Sequence, residues 1–91
     1  MQKFIVYSIR FSNVRDDLSI IMSGKNNKLF TDLNEVRSLL DEHGYEELAN
    51  RGSDSRTVAK FINLRYSSSI KESYFNAPRA EILQSEIEID N

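Results

Sequence analysis

The sequence predicts a small α+β domain, residues 1–91 as one unit. Its expected order is β-β-α-α-β, with an antiparallel sheet of about three strands and helices on one face. Three observations lead there. Residues 3–12 alternate apolar and polar side chains, residues 83–90 do the same, and residues 32–43 carry an apolar stripe at helical spacing between two capping signals.

In the first stretch Ile5, Tyr7, Ile9 and Phe11 share one face, opposite Ser8, Arg10 and Ser12. Phe4 and Val6 make the second face apolar near its start, which predicts a central strand half-covered on that side. Asn13–Asp17 reads as a polar turn, Leu18–Ser23 as a hairpin partner strand, and Gly24–Lys28 as the next turn. Asp32-Leu33-Asn34-Glu35 has capping-box spacing. Leu33, Val36, Leu39, Leu40 and His43 follow at helical intervals, and Gly44 stands where a helix ends left-handed. Tyr45–Asn50 adds a short helical turn.

Ser53 or Asp54 caps a second helix, with Val58, Phe61, Ile62 and Tyr66 as its stripe. Ile62, Leu64 and Tyr66 also alternate, so a strand over 60–66 is the competing reading. Ser69-Ile70-Lys71-Glu72 opens a further short helix that Pro78 must end. In the last strand Leu83, Ser85, Ile87 and Ile89 face one way. This strand is expected beside the first, with Arg10 opposite Glu86 or Glu88.

Composition excludes several classes. With 91 residues, 40% hydrophobic and 10% aromatic, the chain has enough apolar surface for a core, unlike a disordered tail. No apolar run approaches the ~20 residues of a membrane span. The apolar run after Met1 is too short for a signal peptide, so the cytoplasm is the expected compartment. No cysteine means no disulfide and no thiolate metal site, and a single histidine means no multi-histidine cage.

Net charge is −2, but it is distributed in blocks. Residues 1–29 carry five basic and two acidic groups; 30–50 carry one and six; 51–79 carry six and two; 80–91 carry none and four. Either these blocks neutralise one another in the fold, or Arg51, Arg56, Lys60, Arg65, Lys71 and Arg79 form a basic patch for phosphates or an acidic protein face. Tyr66, Tyr74 and Phe75 lie among those cations, an interleaving suited to base stacking or a protein hot spot.

Catalytic chemistry is sparse. His43 is the only imidazole, and its expected place at a helix C-terminus is a structural one. The pairs Asp16-Asp17, Asp41-Glu42 and Glu46-Glu47 are adjacent, so on a helix they point apart rather than share a metal or proton. No phosphate-cradling glycine loop, HExxH or EF-hand spacing occurs. No enzyme activity, cofactor or metal is expected.

Residues 57–75 resemble the helix-turn-helix of phage-type repressors. Thr57–Leu64 matches the first helix and turn, with Ala59 as the small residue, Asn63 at the turn and Leu64 buried; Ser67–Glu72 would open the recognition helix. The second helix's inward aliphatic falls at Ile70, one residue late, and Asn63 stands where glycine is usual. The resemblance implies a DNA-binding regulator acting as a dimer.

The leading expectation is a small non-enzymatic binding protein, an inhibitor or adaptor, that occupies a macromolecular partner. A protein partner is favoured and nucleic acid is the alternative. Candidate contact residues are Arg51, Arg56, Lys60, Arg65, Tyr66, Lys71, Tyr74 and Arg79. A phage-borne inhibitor is a niche that suits a compact cysteine-free chain. No membrane partner is expected, and the oligomeric state stays open, a homodimer included.

Overall fold

A computed structural model describes residues 2–13, 28–49, 52, 54–63 and 77–89. Two long strands form its spine. β1 (Gln2–Ser12) and β4 (Arg79–Ile89) pair antiparallel along their whole lengths, from Gln2 opposite Ile89 to Ser12 opposite Arg79. β3 (Thr57–Ile62) pairs with the first half of β4, and the short β2 (Glu46–Leu48) pairs with β3. The sheet order is β1-β4-β3-β2. Beyond Thr57, among the described residues, β1 and β4 continue as a ribbon that is bridged from Tyr7 to Phe30.

Helix α1 (Leu33–Glu42) covers one face of this sheet. Its start is fixed by Asp32, whose Oδ1 accepts from the Asn34 amide at 2.9 Å. Its end is a Schellman turn: the Tyr45 amide donates to the Leu40 carbonyl (2.9 Å) and the Gly44 amide to that of Asp41 (3.0 Å). Gly44 takes φ +90°, which an L-residue adopts only with strain. The turn delivers Tyr45 into the core, where its ring meets Phe11 edge-on at 6.0 Å.

Cross-strand neighbours share a face, so the register fixes the core. Ile9, Ile82 and Ala59 form one row and Phe11, Ala80 and Phe61 the next. Val36 and Leu40 of α1 pack on both rows with Phe30 and Tyr45. Arg37 extends from α1 over the Phe61 ring and pairs with Glu47, tying the helix to β2 and β3.

The α+β class, the helix with both caps, the two end strands and their adjacency match the sequence reading. The structure differs in five respects. The described residues hold four strands and one helix rather than β-β-α-α-β. Among the described strands β1 lies at the sheet edge, not at its centre. The helix expected from Ser53 or Asp54 is a strand over Thr57–Ile62, so the helix-turn-helix resemblance loses its first helix. The extra helical turn at 45–50 is β2. Arg10 pairs with Glu81 at 2.8 Å, while Lys3 takes Glu86 (3.6 Å) and Glu88 (3.8 Å), because the register runs Ser12 to Arg79. The strand at 18–23 and the short helix at 69–76 lie outside the described residues.

Candidate functional site: the sheet face opposite the helix

The face that α1 leaves carries its own cross-strand rows. Arg10, Glu81, Lys60 and Leu48 form one, and Ser12, Arg79, Ile62 and Glu46 the next. Arg56, in the turn before β3, joins them by donating from its guanidinium to Ser85 Oγ at 3.2 Å. That turn is held by Asp54, whose Oδ1 accepts from the Arg56 amide at 2.9 Å. Among the described residues, four cations therefore share one face with two carboxylates, Glu46 and Glu81.

Glu81 organises the centre. It is 20% exposed, accepts from Arg10 at 2.8 Å and accepts from the Thr57 hydroxyl at 3.3 Å. Those contacts satisfy most of its charge, which neutralises Arg10 more than Lys60. The Lys60 ammonium instead abuts Gly52, where an added Cβ would lie 2.9 Å away. Ile62 and Thr57 are buried on this face.

The charge blocks do not simply cancel. Arg37 and Glu47 close within the acidic block, and Lys3 and Arg10 take carboxylates of the C-terminal strand. α1 carries exposed Glu35, Asp41 and Glu42, with Asp32 at its cap, on the far side of the sheet from Arg10 and Lys60. Among the described residues, the acids of α1 and these sheet cations thus lie on opposite sides of the sheet, an arrangement with a dipolar field.

Of the sequence candidates, Lys60 and Arg79 stand in adjacent rows of this face, and Arg56 lies on the same face farther along β4, at Ser85. Arg51, Arg65, Tyr66, Lys71 and Tyr74 lie outside the described residues. The sequence reading missed Arg10 as a site residue, although its position between Ser8 and Ser12 marked the polar face of β1.

Two other features lie apart from this face. A cavity of about 400 Å³ beside α1 is lined by Lys28, Phe30, Glu35, Ser38, Leu39 and Glu42, with the Lys28 ammonium 5.0 Å from the Phe30 ring centre. His43 serves the backbone: its amide caps α1 and its carbonyl accepts from Asn63 Nδ2 at 3.0 Å. Among the described residues no three His, Cys, Asp or Glu side chains are grouped to hold a metal, and no helix is long and apolar enough to cross a membrane. Comparison with family models, curated proteins and solved structures gives no match to this chain.

Proposed function

We propose that this chain is a small non-enzymatic binding protein that occupies the acidic face of a protein partner through the sheet face opposite α1. The observation that carries the reading is the gathering of Arg10, Arg56, Lys60 and Arg79 on one face, with the acids of α1 on the other. Charges so placed accelerate encounter and reject wrongly oriented partners. An inhibitor or adaptor needs no more than this. The helix-turn-helix route to DNA is not carried forward, because β3 occupies the segment of its first helix.

The test is capture from lysate of the source cell, comparing the native chain with an Arg56→Glu, Lys60→Glu variant of unchanged circular dichroism. A protein retained by the native chain, released by salt and not retained by the variant supports the reading. Equal retention by both chains contradicts it, as does a duplex-DNA shift that the same variant abolishes, or substrate turnover by purified protein.

A further inference from the structure

We propose that a second copy of this chain adds to the outer edge of β1, antiparallel, about a two-fold axis at Phe4. The direction of the backbone comes first. The Tyr7 amide donates to the Phe30 carbonyl (2.7 Å) and the Tyr7 carbonyl accepts from the Phe30 amide (2.8 Å), so the Tyr7 peptide groups point away from β4. The β1–β4 register runs without a bulge, so every second residue repeats this orientation. Lys3 and Ile5 therefore present their N–H and C=O groups outward, and no described residue pairs with them.

The side chains there are apolar and exposed. Phe4 is 43%, Ile87 36% and Ile89 47% exposed, and the register places them on one face of the ribbon. Ile5, on the other face, is 51% exposed. Such an edge invites strand addition. The opposite edge of the sheet does not: β2 is three residues long and carries Glu46 and Glu47.

A second copy is the occupant because one self-pairing register fits. An antiparallel ladder must match outward residues with outward residues, here Lys3 and Ile5. Lys3 opposite Lys3 of the other copy sets like charges together. Ile5 opposite Ile5 would bring Lys3 of the other copy against Tyr7, whose edge Phe30 holds. The remaining register pairs Lys3 with Ile5 in both directions and sets Phe4 opposite Phe4. The row then reads Ile87, Phe4, Phe4, Ile87 across the axis, a continuous apolar strip. Lys3 keeps Glu86 and Glu88 of its own chain, so no charge loses its partner.

The two-fold axis stands perpendicular to the sheet, so both basic faces look the same way. The paired stretch is only Gln2–Val6 in each copy, far below the roughly 20–30 residues a side of a stable interface. The dimer is accordingly weak and concentration-dependent. It stands independently of what the basic face binds.

The chain has no cysteine, so one introduced thiol reports on one contact. Phe4→Cys places two thiols across a non-hydrogen-bonded pair, about 4.5 Å between Cα atoms, within disulfide reach. We expect Phe4→Cys to oxidise to a covalent dimer at least tenfold faster than Gln2→Cys or Val6→Cys alone. A mixture of those last two should cross-link, since Gln2 faces Val6 of the other copy. Sedimentation equilibrium should show the native chain reaching twice its mass at concentrations on the order of 10⁻⁴ M. Ile5→Pro removes only an outward amide and should leave a folded monomer. A native chain that stays monomeric there, Phe4→Cys linking no faster than Gln2→Cys, or dimerisation that survives Ile5→Pro overturns the proposal. So does capture of an extended segment of another protein on this edge without self-association.

Discussion

Truncating Leu40 to alanine tests how α1 holds the sheet together. Leu40 is fully buried, packed on both cross-strand core rows, and its carbonyl receives the His43 and Tyr45 amides that end the helix. The substitution removes about three methylene equivalents, or about 2.4 kcal/mol of transfer free energy at ~0.8 kcal/mol each. The cavity left behind raises the cost to about 3–4 kcal/mol. A domain of 91 residues has a total stability of roughly 5–13 kcal/mol, so this is a large share. At about 4–8 °C per kcal/mol the melting temperature should fall by roughly 12–30 °C. Leu39, one residue earlier, is half-buried at the edge of the same cluster, and Leu39→Ala should cost about 1 kcal/mol. Thermal and urea unfolding followed by circular dichroism measure both. A Leu39→Ala loss equal to or greater than that of Leu40→Ala would mean that α1 docks by a different face, and the core rows would have to be redrawn.

Other substitutions probe single contacts, each read by chemical unfolding. Gly44→Ala forces a Cβ at φ +90° in the Schellman turn and should cost about 1–2 kcal/mol. Asp32→Ala removes the acceptor of the Asn34 amide and should cost about 1 kcal/mol. Asn63→Ala leaves the His43 carbonyl without its side-chain donor in a fully buried site, for about 1–3 kcal/mol. Lys3→Ala breaks two ion pairs between exposed groups and should change stability by less than about 1 kcal/mol, an effect that added salt erases.

The parts of the fold that were legible in sequence are those with one clean period. β1 and β4 alternate over most of their length, and α1 carries its stripe between an Asp32 cap and Gly44. β3 misled for a physical reason. A register irregularity between Thr57 and Ala59 turns both Val58 and Ala59 toward the core, so alternation shifts by one residue. With Phe61 inside and Ile62 buried on the opposite face, Val58, Phe61 and Ile62 fall at the i, i+3, i+4 spacing of a helix. β2 has no strand signature in Glu46-Glu47-Leu48; it exists because the Schellman turn brings it alongside β3 and Arg37 holds Glu47.

The edge position of β1 was hidden for a different reason. Phe4 and Val6 suggest a strand covered on both faces, and Val6 is indeed buried. Phe4, two residues nearer the end of the ribbon, is not. The candidate site was half-legible. The basic block pointed to Arg56, Lys60 and Arg79, but only the pairing of β1 with β4 brings Arg10 to the same face. Sequence distance between Arg10 and Lys60 conceals what two ladder steps through Glu81 join.

The proposed binding depends on attraction between the sheet face opposite α1 and acidic surface. Fluorescence anisotropy with a labelled poly-glutamate peptide tests it directly, at low ionic strength and again at about 0.15 M, where the screening length is about 8 Å. The native chain should bind, weaken with salt, and bind at least tenfold more tightly than the Arg56→Glu, Lys60→Glu variant, a difference of about 1.4 kcal/mol or more. Equal affinity of the two proteins for the peptide would contradict the claim.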